Sequence, residues 1–306
     1  MEPENLLPSG TQIELRQGDR SAVVTSVGAT LRSFQTAGVD LVDGFPASSM
    51  ASGGRGQVLC PWPNRVAGGR YAFADATLQL PLTEVARGNA NHGLCRFSPF
   101  SVIDRRAEAV RLGLRLYPQP GYPFFVDVEV EYRLEDGGLV VTLTARNPGA
   151  RAAPVGLGHH PYFRPPGLAV VDDAVLRLPA ATFLPTDDHA IPNARTAVAG
   201  SPFDFRAGRP IGALAIDTGF TDLIRDDEGW ARIALTGADA TVTVAVDAAF
   251  GHLQVYSGDT LPTTERRSAL AIEPMTCAAN AFNSGDGLVV LAPGDALRAT
   301  YRVSVQ

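Results

Sequence analysis

Apolar and polar residues alternate with a period of two along much of the chain. In residues 126–134, Val, Tyr and Leu alternate with Asp, Glu and Arg, which gives an extended segment one apolar and one charged face. The turn signal Glu135-Asp136-Gly137-Gly138 then leads into a second extended run at 139–145, as in a β-hairpin. The final residues, 297–306, alternate in the same way. These patterns predict antiparallel strands with one buried face.

Shorter runs of the same kind recur between Gly, Pro, Asp and Asn residues. They predict further strands at 12–16, 22–27, 110–116, 232–235, 241–246 and 252–256. No sustained 3.6-residue amphipathic pattern competes with them. Many short strands with frequent turn residues indicate an all-β sandwich or barrel, and folds of this kind exceed 250 residues as one domain. We therefore expect a single domain over residues 1–306, without a linker.

Composition narrows the function classes. The formal net charge is −6 with no basic block, so nucleic acid is not an expected partner. All 26 basic residues are Arg, which excludes a lysine Schiff base. Cys60, Cys95 and Cys277 lie far apart and are expected to be reduced, buried thiols. The N-terminus shows no signal peptide and no long apolar run follows, so we expect a cytoplasmic protein that does not contact a membrane.

Two loop segments carry residues suited to polar ligands. Asn64 and Arg65 follow a Pro-Trp-Pro sequence, and the planar guanidinium could bind sugar hydroxyls or a carboxylate. The alternative is that Arg65 simply pairs with a nearby acid. Asn91, His92 and Gly93 place an imidazole in a second loop, where exposure in a cleft is plausible.

Two later segments add titratable groups. His159 and His160 are adjacent in an extended segment and must point to opposite faces, which disfavours a shared metal; no metal site is expected. Glu273 ends an apolar strand, where burial would raise the pKa of its carboxyl group. A structural alternative is an ion pair between Glu273 and an arginine such as Arg65.

Taken in order, these segments resemble the aldose 1-epimerase (galactose mutarotase) family. The matching features are Asn64-Arg65, Asn91-His92-Gly93, His160-x-Tyr162-Phe163, Asp217-x-x-Phe220 and Glu273. The resemblance runs from about residue 10 to the C-terminus. It implies a large antiparallel β-sandwich of the galactose mutarotase-like type with the sugar on its concave face.

The resemblance also implies roles for the residues. Glu273 resembles the general base and His160 the general acid, while Arg65, His92 and Asp217 resemble groups that orient sugar hydroxyls, with Asn64 beside them. Asp222 is the alternative to Asp217. Two positions depart from the better-known galactose enzymes, which have Asn before the catalytic His and Gln two residues after the catalytic Glu. This chain has His159 and Met275 there, so the choice of sugar stays open.

The expected reaction is ring opening and reclosure of a free aldose without metal, nucleotide or other cofactor. We expect His160 to be protonated near neutral pH because the neighbouring carboxylate favours its charged form. Trp62, Phe250 and Phe282 are candidates either for stacking on a sugar or for the core. The chain is expected to be a monomer or weak homodimer.

Three other functions stay open from the sequence. One is a hexose-6-phosphate 1-epimerase, since phosphate-binding relatives exist and Arg55, Arg70, Arg87 or Arg96 could receive the phosphate; the Asn-Arg loop is closer to the free-sugar branch. A second is a non-catalytic carbohydrate-binding sandwich. A third is a glycoside hydrolase, for which the sequence offers His and Glu instead of two carboxylates.

Overall fold

The computed structural model describes residues 6–306. The first strands are β1 (Gln12–Gln17), β2 (Arg20–Thr25), β3 (Thr30–Thr36), β4 (Val39–Asp40), β5 (Val58–Leu59), β6 (Arg65–Ala67), β7 (Arg70–Phe73), β8 (Ala76–Gln79) and β9 (Asn89–Asn91). The middle of the chain forms β10 (Ser101–Arg105), β11 (Ala109–Leu116), β12 (Val126–Glu135), β13 (Gly138–Arg146), β14 (Ala153–Val155), β15 (Gly158–His159), β16 (Tyr162–Phe163), β17 (Val175–Arg177) and β18 (Ala180–Leu184). The last elements are β19 (Thr196–Ala197), β20 (Arg209–Pro210), β21 (Asp217–Leu223), β22 (Ala231–Thr236), β23 (Thr241–Val246), β24 (His252–Tyr256), β25 (Leu270–Met275), the one-turn helix α1 (Ala281–Ser284), β26 (Val289–Leu291) and β27 (Ala296–Val305).

Two large antiparallel sheets dominate the fold. One has nine strands in the order β10-β11-β12-β13-β27-β23-β22-β17-β20. The other has eight, in the order β19-β18-β21-β24-β25-β15-β5, with β16 also pairing to β25. A four-stranded sheet, β1-β2-β3-β4, and the short pairs β14-β26, β6-β9 and β7-β8 complete the architecture. No helix among residues 6–306 has the length and apolar character needed to cross a membrane.

The period-two pattern is confirmed as antiparallel strands. β12 and β13 form a hairpin that closes where Glu135 pairs with Gly138, at the predicted turn. β27 matches the predicted C-terminal strand and pairs with β13 and β23. The strand predicted at 22–27 is shifted towards the N-terminus, because the chain turns after Thr25. The all-β fold class is confirmed: α1 is the one helix in the described part of the chain.

The apolar faces of the two large sheets pack against each other. Tyr132 of β12 and Tyr301 of β27 are fully buried, and both hydroxyls contact the imidazole of His159 from β15. Val128 and Val130, which share the buried face of β12, belong to the same continuous apolar cluster. The sheets therefore form a sandwich, and the face of the eight-stranded sheet opposite the core is left to carry polar residues. We call this the outer face.

Strand register brings particular side chains together on the outer face. Gly219 of β21 pairs with Gln254 of β24, and Gln254 pairs with Glu273 of β25. Two residues along, Asp217 pairs with Tyr256. Because side chains at alternate positions share a face, Asp217, Gln254 and Glu273 project on the same side.

Candidate active site

A cavity of about 470 Å³ lies over the outer face of the eight-stranded sheet. Most of its polar lining comes from two parts of the chain. The sheet and the turn after β15 supply six polar or aromatic side chains: His160, Tyr162, Asp217, Gln254, Tyr256 and Glu273. The segment 60–96 supplies seven more polar side chains: Asn64, Arg65, Glu84, Arg87, Asn91, His92 and Arg96. Every residue that the sequence assigned to the site therefore lines this one cavity.

Glu273 and His160 form a buried pair in this cavity. Oε1 of Glu273 lies 3.3 Å from Nε2 of His160, and the two side chains are 2% and 6% exposed. The imidazole stacks on Tyr162 at a centroid distance of 5.1 Å and an interplanar angle of 9°. On its edge lies Gly54, where an added Cβ would come within 2.6 Å of His160 Cδ2. The ring is thus fixed by contacts beside and beneath it.

Burial shifts both members of the pair towards their uncharged forms. Desolvation, with Arg96 and Arg55 adding to it, lowers the pKa of His160 to about 3. Desolvation also raises the pKa of Glu273 well above its usual range, helped by Asp217 and opposed by Arg65 and Arg96. The expectation that His160 is protonated near neutral pH is therefore wrong, because burial and two arginines outweigh the single carboxylate.

Hydrogen bonds to the backbone of Asn64 orient the ring of His92 and determine which ring nitrogen carries its proton. Its ring Nδ1 accepts a hydrogen bond from the backbone N–H of Asn64 at 3.1 Å, and the backbone N–H of His92 donates to the Asn64 carbonyl at 2.8 Å. The neutral ring therefore carries its proton on Nε2. Burial, followed by His160 and Arg96, lowers the pKa of His92 well below its usual value. The ring lies 5.2 Å from that of His160, so an uncharged Nε2–H donor lies beside the buried pair.

Arg65 forms an ion pair with a nearby acid, as in the alternative to sugar binding considered from the sequence. Its Nε and terminal nitrogen donate to the two carboxylate oxygens of Glu84 at 2.7 and 3.0 Å. The backbone N–H of Arg65 donates to the side-chain oxygen of Asn64. Glu273 is not the partner of Arg65; its carboxyl group contacts Nε2 of His160 instead. The carboxylate of Glu84 thus orients the guanidinium while the arginine still lines the cavity.

The structure separates the two candidate aspartates. Asp217 lines the cavity, and its Oδ1 accepts a hydrogen bond from the amide Nε2 of Gln254 at 2.7 Å. Asp222 lies on the same strand and pairs with Arg195 at 2.9 Å. Asp222 does not line the cavity. The geometry therefore favours Asp217, the first choice from the sequence.

His159 and the three candidate aromatic residues belong to the interior. Nδ1 of His159 contacts the Tyr301 hydroxyl at 2.6 Å, on the face opposite His160, as the strand alternation predicted. Trp62, Phe250 and Phe282 are at most 5% exposed and lie in the main apolar cluster. Sugar stacking by these three is therefore wrong. The aromatic side chains that line the cavity are Tyr162 and Tyr256.

Sequence reasoning missed several lining residues. Glu84 and Gln254 had no local motif, and each becomes recognisable only through a partner distant in the chain. Of the four arginines considered for a phosphate, Arg87 and Arg96 line the cavity. Arg55 is instead buried in an ion pair with Asp43, and Arg70 is exposed on β7.

Three potential metal ligands converge in the cavity. Single ligand atoms of His92, His160 and Glu273 lie within 4.8 Å of one another. Arg65 and Arg96 both act electrostatically on Glu273, and their positive charges oppose a further cation at this position. The absence of a metal site stays a prediction.

The fold and the site define an all-β sandwich with a buried histidine–glutamate pair in a polar cavity. The protein-family model described as aldose 1-epimerase matches residues 11–304. The chain is 34% identical over 304 residues to the uncharacterized protein YihR of Escherichia coli K12, covering 99% of this chain and 96% of that protein. Mouse galactose mutarotase is 28% identical over 220 residues, which cover 65% of this chain and 63% of the relative.

Solved structures share the fold. The GalM/aldose epimerase homologue from C. elegans superimposes with a TM-score of 0.86 at 20% identity, covering 97% of this chain and 98% of that one. Galactose 1-epimerase from Lactobacillus acidophilus gives 0.81 at 21% identity, with 96% and 94% covered. The chain belongs to the aldose 1-epimerase family. It is an enzyme of the sugar epimerase or mutarotase kind.

Proposed function

We propose that the protein interconverts the α and β anomers of a free aldose by acid–base ring opening. The observation that supports this most directly is the buried pair, with 3.3 Å between Glu273 Oε1 and His160 Nε2. A pair that can exchange one proton through a sugar hemiacetal is what this reaction requires. Arg65, His92 and Asp217 surround it with donors and an acceptor for hydroxyl groups.

Ring opening moves one proton on and one proton off the sugar. The Glu273 carboxylate takes the proton of the C1 hydroxyl, and protonated His160 gives its proton to O5. The C1–O5 bond breaks, leaving an aldehyde at C1 and a hydroxyl on C5. After rotation about C1–C2, the two transfers run backwards and close the ring on the other face of the carbonyl. Atoms and protons balance within the pair and the sugar.

The environment of the pair favours this proton transfer. The pair holds one proton before and after ring opening, and only its location changes. Opening converts a carboxylate and an imidazolium into two uncharged groups, and the burial of both side chains favours the uncharged arrangement. In the free enzyme this proton is on Glu273. When the ring form binds, the C1 hydroxyl donates to Glu273; such a hydrogen bond favours the carboxylate, and the proton passes to Nε2 of His160, 3.3 Å away.

Polarimetry on a freshly dissolved single anomer tests the proposal. The optical rotation should relax faster with the protein and reach the spontaneous equilibrium value. Glu273→Gln and His160→Asn should each lower kcat/KM by about 10²- to 10⁴-fold, the usual range for acid–base catalysis, with Glu273→Gln the more damaging. Glu129→Gln is the matched control, because Glu129 lies on the nine-stranded sheet, away from the cavity, with its side chain 45% exposed.

The outcomes separate the alternatives. Full activity in both folded variants would refute the assignment of the pair. Binding of sugar without faster relaxation would indicate a carbohydrate-binding sandwich. Release of new reducing ends from oligosaccharides would indicate a glycoside hydrolase, for which this site lacks the usual pair of carboxylates flanking the bond.

A further inference from the structure

The imidazole of His160 is not oriented by a hydrogen bond from its second nitrogen. Nε2 faces Oε1 of Glu273 at 3.3 Å, but Nδ1 is buried and no other residue within 6–306 supplies a hydrogen-bond partner for it. A histidine that transfers protons is ordinarily held by such a bond to a carboxylate or a backbone carbonyl. In this protein the direction of Nε2 therefore depends on the groups that pack against the ring.

Tyr162 covers one face of this imidazole. The two rings are nearly parallel, with 9° between their planes and 5.1 Å between their centroids. Tyr162 is 1% exposed, and its hydroxyl donates to the backbone carbonyl of Gly53 at 3.0 Å. Because a protein interior is close-packed, a shift of the tyrosine ring would change the tilt of the imidazole that stacks on it.

Arg55 lies over the ring of Tyr162. Its guanidinium carbon is 4.8 Å from the ring centroid, within the range of a cation–π interaction. Its Nε donates to Oδ2 of Asp43 at 2.9 Å, and a terminal nitrogen lies 3.1 Å from Oε2 of Glu265 and donates to the Ser52 hydroxyl at 2.8 Å. The side chain of Arg55 is 3% exposed. Two carboxylates and a hydroxyl thus fix a buried guanidinium over the tyrosine.

The segment that carries Arg55, residues 53–57, also binds the backbone of His160. The N–H of Gly56 donates to the carbonyl of His160 at 2.8 Å, and the N–H of His160 donates to the carbonyl of Gln57 at 3.1 Å. The same short segment therefore fixes the backbone of the histidine and, through Arg55, the ring that stacks on its imidazole.

We propose that Arg55 is a positioning residue for the reaction: through Tyr162 it holds the imidazole of His160 at the angle from which Nε2 reaches the ring oxygen of the sugar. This inference rests on the proposed function and adds a residue that does not itself line the cavity. Proton transfer requires heavy atoms within about 2.6–3.2 Å, and a misplacement of about 1 Å can cost about 100-fold in rate. Sugar binding should suffer less, because Arg65 and Asp217 are held by other contacts.

Polarimetry on Arg55→Met tests this separation of kcat from KM. The sugar is the one that the wild type accelerates most among freshly dissolved single anomers of glucose, galactose, mannose and xylose. In Arg55→Met, kcat should fall by about 10- to 100-fold while KM changes by less than about twofold. Arg164→Met is the matched control, because Arg164 also pairs with Asp43, at 2.6 Å, and its side chain is 48% exposed. It should keep the wild-type kcat and KM.

The kinetic outcomes are distinct. A wild-type kcat in folded Arg55→Met would overturn the proposal. An equal fall of kcat in Arg164→Met would also overturn it, because kcat would then depend on the ion pairs of Asp43 and not on the contact with Tyr162. If Arg55→Met raises KM by the same factor as it lowers kcat, the whole cavity is disturbed and the proposal fails. Failure of the wild type to accelerate any of the four sugars would overturn the proposed function itself.

Arg55→Lys covers the case in which Arg55→Met does not fold. Lysine keeps the positive charge beside Asp43 but not the planar group over Tyr162. Its kcat should fall by about 3- to 10-fold with KM unchanged, and this fall reports the lost planar contact because the charge near His160 is retained. A wild-type kcat in Arg55→Lys would overturn the proposal.

The rigidity of the imidazole gives a readout that does not depend on turnover. The protein is labelled with ¹³C at Cε1 of histidine, and the signal of His160 is identified by its loss in His160→Asn. We expect an order parameter of about 0.85 in the wild type and in Arg164→Met, below about 0.6 in Arg55→Met, and between these values in Arg55→Lys. If the order parameter and the chemical shift are both unchanged in a folded Arg55 variant, the ring has not moved and the proposal is overturned.

Discussion

His159 should make the protein measurably less stable in mild acid. The neutral ring is fully satisfied between the sheets: one nitrogen contacts the Tyr301 hydroxyl at 2.6 Å and the other the Gly56 carbonyl at 2.9 Å. Protonation would put a second N–H where Tyr301 now donates, inside the core. Burial accordingly lowers the pKa of His159 to about 4.

The size of the effect follows from linkage between folding and protonation. In the unfolded chain the pKa of His159 is about 6.5, so this histidine is protonated below that pH. In the folded chain it stays neutral until the pH approaches 4. Stability is therefore lost as the pH falls through this window. At pH 5 the difference spans about 1.5 pH units, which corresponds to about 2 kcal/mol of unfolding free energy.

The contribution of His159 is isolated by comparing how the unfolding free energy changes with pH in the wild type and in a variant. Urea unfolding of the wild type and of His159→Gln is measured at pH 7 and pH 5, since Gln does not titrate in this range. The variant will be less stable at both values, but it should lose about 2 kcal/mol less than the wild type between them. Contributions of the other titrating groups cancel in the comparison. An equal loss in both proteins would show that His159 is protonated in the folded state and would refute the reasoning.

Three further outcomes are expected from the site. Asp217→Asn should raise KM about 10-fold through loss of charge-assisted hydrogen bonds, whereas Asp222→Asn should change it less than twofold in the same polarimetric assay. Gly54→Ala places a Cβ 2.6 Å from His160 at a backbone φ of +76°, so kcat should fall at least about 10-fold and the unfolding free energy by about 1–2 kcal/mol. In a pH profile, the acid limb of kcat/KM should lie well below pH 6.5, towards the pKa of about 3 of His160; a limb centred near 6.5 would contradict the burial argument.

The strands that define the fold are predictable because their signal is local. The alternation in β12 and β27 appears in consecutive residues, so the buried face can be assigned without knowing the partner strand. The opposite directions of His159 and His160 follow from the same rule and are found in the structure. The ends of strands are less predictable, since the shift of β2 depends on where the chain must turn.

The electrostatics of the site depend on contacts that form only when the chain folds and that cannot be predicted from the sequence. Glu84 reaches Arg65 only because the loops of segment 60–96 fold over the outer face. The sequence likewise gives no sign that Gln57 holds Arg96 at the cavity, since the two residues meet only in the packed structure. The protonation of His160 depends on the balance between burial and the neighbouring carboxylate, and the extent of burial that decides this balance is a property of the packed structure.

The cavity draws its two halves from separate parts of the chain, and this division has an evolutionary consequence. The acid–base pair and Asp217 belong to the eight-stranded sheet and its turns, whose other face is tied to the core. Arg65 and Arg96 belong to segment 60–96. Insertions or replacements in that segment can alter one wall of the cavity without disturbing the sheet and turns that carry His160, Glu273 and Asp217. New substrate preferences in such a scaffold can therefore arise by divergence of one contiguous stretch of sequence.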